Sequence, residues 1–226
     1  MRRERVTMAA VIGLALLGGP AAAFGQGGTV QGLVTTGARA PRPIRVSFDQ
    51  RVCGAELPDQ SILVDAGGRL ANAVVTLVGV KAPAPPREAV VVNDKCAFVP
   101  RVQVVAPGGT IKTSSRDVVL HTTVVQQADG RQLFNVALPA PGIEISKPVG
   151  NPGVLRVGCS THQWMRGWVI VTDEMSAVTG TDGRFTLSGV PPGTYELRVW
   201  HEALKTPAQT ITVAVGKTLD VRVEMR

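Results

Sequence analysis

Val154-Leu155-Arg156-Val157-Gly158-Cys159-Ser160-Thr161-His162-Gln163-Trp164-Met165-Arg166-Gly167-Trp168-Val169-Ile170-Val171 reads as two apolar strands joined by a short loop that carries a thiol, an imidazole and a thioether. Residues 154–158 form the incoming strand and residues 167–171 the outgoing one, each rich enough in apolar side chains for burial on both faces. In a loop that folds the chain back on itself, positions i, i+3 and i+6 can converge on one ion, which makes Cys159, His162 and Met165 a candidate metal-binding set. A fourth donor must come from elsewhere, and His121 is the candidate. It follows Val118-Val119-Leu120, a largely β-branched run that predicts another strand. Two imidazoles, a thiolate and a long, weak thioether are the donors of an electron-transfer copper centre. Structural zinc prefers several thiolates or imidazoles and has little use for a thioether. A Cys-x2-His alone is common by chance, and a Met in a loop more often packs than ligates. The flanking strands, the upstream His121 and Gly167 favour the metal reading.

Outside this stretch the pattern is strands and turns. The chain has 25 Gly and 16 Pro among 226 residues, its β-branched runs are short, and no stretch after the first 25 residues keeps a helical period, so the fold class is all-β. Residues 181–199 alternate apolar and polar around two turns, Asp182-Gly183 and Pro191-Pro192-Gly193. Residues 210–215 and 218–223 predict a further pair of strands around Gly216-Lys217. Lys81-Ala82-Pro83-Ala84-Pro85-Pro86-Arg87 reads as a stiff, exposed linker and a domain boundary.

Three stretches of the chain together resemble the cupredoxins, the blue-copper family of plastocyanin and amicyanin type: Phe98-Val99-Pro100-Arg101-Val102-Gln103-Val104 with Gly108-Gly109, Asp117 to His121, and Gly153 to Gly167. The resemblance implies a Greek-key sandwich over residues 88–173. It also implies one type 1 copper ion, with His121, Cys159 and His162 as equatorial ligands and Met165 as the axial one. It further implies an exposed imidazole edge at His162 as the exit for the electron. Where many of that family place Asn or Pro beside the first histidine, this chain has Leu120 and Thr122, which leaves Thr122 or Ser115 to supply the hydrogen bond that steadies the loops.

The tail, residues 174–226, resembles the second half of a carboxypeptidase regulatory-like, transthyretin-like sandwich, through Gly183-Arg184-Phe185-Thr186-Leu187 and Val190-Pro191-Pro192-Gly193-Thr194-Tyr195. Gly28-Thr29-Val30-Gln31-Gly32-Leu33-Val34 and Ala73-Val74-Val75-Thr76-Leu77 fit the first half of that pattern. Two arrangements stay open for residues 28–87. Either they pair with the tail in a discontinuous sandwich around an inserted copper domain, or they extend the copper domain at its N-terminus. A tail of about 50 residues is small for a core of its own.

Residues 1–25 have the pattern of a secretory signal peptide: a basic start, a short apolar run from Met8 to Leu17, and small residues at Ala21-Ala22-Ala23. The mature protein is therefore expected to be periplasmic or secreted, with no transmembrane segment. In an oxidising compartment three cysteines leave an odd one, and the motif assigns that role to Cys159, so Cys53 and Cys96 are expected to pair; two buried thiols are the alternative. The formal charge is +7, of which Arg2, Arg3, Arg5 and Glu4 contribute +2, leaving +5 after residue 25. Charges are scattered and aromatics are few, which argues against nucleic-acid binding, and the basic balance favours an acidic redox partner by steering.

The function expected from these features is one-electron transfer. The alternatives are an envelope or carbohydrate-binding sandwich with a structural metal, for which 4% aromatic residues is a poor supply, and a copper-handling protein, for which 5 Met and 3 His are too few to make a rich tract. Enzymatic chemistry is not expected, since oxygen-reducing copper enzymes need further histidine pairs and only His201 remains. Trp200-His201-Glu202 could bind metal or accept protons, but the plainer reading is a strand-end cap. Trp164 and Trp168 flank the proposed site as candidates for an apolar docking surface or for core packing.

Overall fold

The computed structural model describes residues 27–226, so the signal-peptide reading of residues 1–25 lies outside the described residues. The chain opens with β1 (Gly28–Thr36), crosses a strap that holds β2 (Ile44–Arg45), a one-turn helix α1 (Gln50–Cys53) and β3 (Glu56–Leu57), and then forms β4 (Val74–Lys81). Nine strands follow: β5 (Glu88–Asp94), β6 (Ala97–Val99), β7 (Val102–Val105), β8 (Thr110–Ser115), β9 (His121–Gln127), β10 (Gln132–Leu138), β11 (Glu144–Pro148), β12 (Gly153–Gly158) and β13 (Arg166–Val171). The tail contributes β14 (Glu174–Val178), β15 (Arg184–Val190), β16 (Gly193–Trp200), β17 (Gln209–Val213) and β18 (Thr218–Met225). The class is all-β, as expected.

Strands β5 to β13 make an inner sandwich. One sheet has the order β10-β9-β12-β13-β7 and the other β11-β8-β5-β6, with connections that cross repeatedly between the two. Its core joins Val91, Phe98, Ile111, Val125, Leu155 and Val169. The remaining strands make an outer sandwich from a sheet of order β15-β1-β18 and a sheet of order β14-β4-β16-β17. Strand β1 therefore lies between two strands of the tail, antiparallel to β15 and parallel to β18, and β4 lies between β14 and β16. Val30, Val34, Leu77, Phe185, Leu197 and Val223 share this second core. Strand β1 comes so close to its neighbours at Gly32 that a Cβ there would lie 2.1 Å from the Val221 carbonyl oxygen and 2.8 Å from the Phe185 ring.

The inner sandwich is an insertion between β4 and β14. These two strands are antiparallel with Lys81 opposite Glu174, the Lys81 ammonium donates to Asp173 at 2.6 Å, and Ala82 N–H donates to the Asp173 carbonyl at 2.8 Å. The chain thus leaves the outer sandwich and returns at adjacent points, so the insertion leaves its host's strand pairing intact.

The two sandwiches touch over an apolar patch of Val74, Val102 and Ile170, with the Trp168 and Trp200 rings edge to face at 5.5 Å. At its border Arg101 donates to both carboxylate oxygens of Glu202, at 2.6 and 2.9 Å, and both side chains are almost wholly buried. A planar guanidinium fork fits a carboxylate in this way.

Two sequence expectations are corrected. Residues 210–215 and 218–223 do not pair with each other: β17 pairs with β16, whereas β18 crosses to the opposite sheet and pairs with β1. The alternating Val221, Val223 and Met225 of β18 find their apolar partners only there. Val118-Val119-Leu120 is a bend, not a strand, with Val118 and Leu120 exposed and the ladder beginning at His121. The preceding Asp117 carboxylate is tied to the β5–β6 turn and to His121, which forces the chain to turn sharply there.

A fragment of residues 174–226 lacks β1 and β4, an interior strand of each outer sheet, and is expected to show an undispersed amide NMR spectrum. Arg101→Ala leaves the Glu202 carboxylate buried and unpaired, and should cost about 3–5 kcal/mol in chemical denaturation. Adding Glu202→Gln should recover part of that loss.

Candidate metal centre

Strand β12 ends at Gly158 and delivers Cys159 to the rim of the sandwich. Its neighbour β9 is antiparallel, with Gly158 opposite Val124, so the first residue of β9, His121, reaches the same rim. The loop after Cys159 turns back through a hydrogen bond from Met165 N–H to the His162 carbonyl at 3.0 Å, and β13 then starts at Arg166. Three donors meet: Cys159 Sγ is 3.9 Å from His121 Nδ1 and 3.8 Å from His162 Nδ1, and the two Nδ1 atoms are 3.0 Å apart. Met165 lies in the same loop, buried, in the apolar cluster that includes Cys159 and Trp164. All four side chains are buried, the two imidazoles completely.

Each imidazole is held from behind by a carboxylate. His121 Nε2 donates to Asp117 Oδ2 at 2.9 Å, and His162 Nε2 donates to Asp49 Oδ2 at 3.1 Å. An ionised carboxylate only accepts, so it places a proton on Nε2 of each ring and turns both Nδ1 atoms inward. Two ring nitrogens and a sulfur thus face one small volume, where a shared proton or a metal ion can sit. The donors present fit a soft cation, with two nitrogens, one thiolate and a nearby thioether.

The thiol is shifted toward its ionised form. Burial alone would push its pKa up, but the His121 ring, the backbone N–H groups of Thr122 and His162 and the Thr122 hydroxyl all hydrogen-bond the sulfur, and together they bring it down to about 5. Burial likewise disfavours the charged form of His121, and the contacts with Cys159 and Asp117 outweigh it and raise its pKa.

Thr122 is the residue that steadies the loops. Its N–H lies 3.3 Å from Cys159 Sγ, and its hydroxyl accepts from Ser160 N–H at 2.7 Å, fastening the cysteine loop to β9. Ser115 instead bonds the backbone of Asp117, accepting from its N–H at 3.1 Å.

Asp117 does more than orient His121. Strands β5 and β6 are joined by Lys95 and Cys96, both at positive φ, the backbone of a two-residue hairpin turn that usually selects Asn and Gly. Asp117 accepts from the N–H of Lys95 at 2.8 Å and from that of Cys96 at 2.9 Å, which holds these two side-chain-bearing residues in the left-handed region. Cys96 forms the expected disulfide with Cys53 of α1.

Two expectations change at this site. The His162 edge is not bare: the strap lays Asp49 against its outer nitrogen and packs Phe48 at 6.0 Å, while Trp164 packs at 5.0 Å. Trp168 does not flank the centre but packs on Trp200 at the junction between the sandwiches. His201 is buried, and burial lowers its pKa; Ala203 N–H donates to its Nδ1 at 3.3 Å, while Glu202 serves Arg101. Asp117 could have been found from sequence as a carboxylate four residues before a candidate ligand. Asp49 could not, because it lies 113 residues from His162.

Residues 168–226 match the family model of the carboxypeptidase regulatory-like domain. The match starts inside β13 and takes in β14 to β18, whereas the outer sandwich also contains β1 and β4. Solved structures similar to the chain include a purple cupredoxin from Nitrosopumilus maritimus, at 22% identity and a TM-score of 0.33 over 37% of this chain and 99% of that one. Amicyanin from Paracoccus versutus is similar at 19% identity and a TM-score of 0.34, over 43% of this chain and 96% of its own. No curated protein matches the chain.

Asp117→Ala removes the acceptor for two backbone N–H groups and for His121 Nε2. It should weaken metal binding about 10–100-fold, read by competition with a chelator of known affinity.

Proposed function

We propose that the protein is an exported one-electron carrier with one type 1 copper ion held by His121, Cys159, His162 and Met165. The observation that carries this reading is the closed donor set: two Nδ1 atoms 3.0 Å apart beside a thiol whose pKa is drawn down to about 5. Bound there, copper would supply a Cu(I)/Cu(II) couple.

The side chains support a carrier rather than an enzyme. Burial of all four donors keeps bulk water from the centre. Asp117 and Asp49 lock both rings in one tautomer, and Thr122 ties the cysteine loop to β9. Donors held this firmly rearrange little when the charge at the centre changes, and that is what fast electron exchange requires. No helix among the described residues is long and apolar enough to cross a membrane. The basic balance of the chain suits an acidic redox protein as partner.

One equivalent of Cu(II) added to the purified protein should give an intense thiolate-to-copper visible band and narrowed EPR hyperfine splitting. Cys159→Ser should abolish the band, and Met165→Leu should keep the copper with a shifted midpoint potential. An ordinary tetragonal spectrum, or an unchanged band in Cys159→Ser, would sink the assignment and leave a β-sandwich binding module in which Cys159, His162 and Met165 are structural.

A further inference from the structure

Asp49 occupies an unusual position. It is the residue before α1, where an Asp side chain ordinarily accepts a hydrogen bond from the first backbone N–H groups of the helix. Here it makes no such bond: its backbone carbonyl accepts from Val52 and Cys53, its φ is 53°, and its carboxylate is left for His162 Nε2. The left-handed backbone turns this side chain away from its own helix and onto an imidazole of the inner sandwich.

The strap that carries Asp49 is fastened close by. Cys53, at the end of α1, is bonded to Cys96, and the two sulfurs and a ring nitrogen of His162 all lie within 4.8 Å of one another. Cys96 sits in the turn gripped by Asp117, which also holds His121. The Trp164 indole N–H donates to the Cys96 carbonyl at 3.2 Å while its ring packs on His162. A closed circuit results: His162 to Asp49, through α1 to Cys53, across the disulfide to Cys96, through Asp117 to His121.

We infer that Asp49 is a positioning residue for the copper centre, and that the Cys53–Cys96 disulfide holds it against His162. This deepens the electron-carrier reading and rests on it only where the potential is concerned. A carboxylate behind a ligand imidazole raises the ring's basicity and so stabilises the more highly charged, oxidised state of the metal. The strap therefore lowers the potential of the centre while it covers the ring edge. Removing the contact shifts the equilibrium toward the reduced state by about tenfold, which is about 59 mV for a one-electron couple.

The test uses the whole chain after residue 26 and begins without metal. Long-range 1H–15N spectra should show His162 of the wild type with its proton on Nε2 and slow to exchange. In Asp49→Asn that proton should exchange rapidly and the other tautomer appear, with the melting temperature within a few degrees of wild type, and Asp49→Glu should restore the wild-type pattern in part. With copper bound, Asp49→Asn should have a higher midpoint potential than wild type. The Cys53→Ser/Cys96→Ser double variant should show the same His162 spectrum as Asp49→Asn; a wild-type His162 spectrum in that variant would overturn the role given to the disulfide. If it does not fold, Asp49→Asn still decides the role of Asp49. An unchanged His162 spectrum and an unchanged potential in Asp49→Asn would overturn the positioning role. A changed His162 spectrum together with no blue band in any variant would uphold it and reject the copper reading instead.

Discussion

Two imidazole nitrogens are held 3.0 Å apart beside a sulfur, and the rest of the site depends on that arrangement. Free to choose, each ring would rotate or change tautomer to find a donor. The rest of the site is organised to deny that choice. Asp117 and Asp49 take the outer nitrogens, Thr122 fastens the loop that carries the sulfur, and the rim strands β9 and β12 set the distance between the anchors. The two nitrogens and the sulfur are thus held around one point.

Support for this constraint comes from both sandwiches. Asp117 belongs to the inner one, but Asp49 is carried by the connection between β1 and β4, two strands of the outer one. The outer sandwich contributes to the centre through this strap, and its second link is the buried Arg101–Glu202 pair beside the Trp168–Trp200 contact. A guanidinium and carboxylate so deeply buried add little net stability but impose a single geometry, because any displacement leaves a charge without its partner.

Legibility in the sequence followed distance along the chain. The strands around Cys159 and the loop donors were readable because three residue types at a spacing of three fall within seven positions, between two apolar runs. His121 was recoverable as a histidine placed after a β-branched run, although that run proved to be a bend, since a buried carboxylate at Asp117 outweighs the β propensity of Val118 and Val119. Tail strands were visible from their alternation, but not which sheet each joins. Alternation reports a buried face and carries no information about the partner, so β17 and β18 looked like a hairpin when they belong to opposite sheets. Asp49 was out of reach for the same reason: its function depends on a fold-back across 113 residues and on a backbone angle that residue identity does not reveal.

The parallel pairing of β1 with β18 sets Thr29 beside Thr218 and Thr36 beside Met225, joining nearly the two ends of the described chain. Contacts of such sequence separation form late, because the entropy of closing the loop must be met before the pairing is gained. Strand β1 therefore stays an open edge on that side until β18 arrives, and an apolar edge in waiting is a site for wrong partners. The inner sandwich, with its nearer contacts, can close meanwhile. Folding of this chain thus has a built-in order: the inner sandwich closes on its nearer contacts, and the outer one closes once β18 has paired with β1.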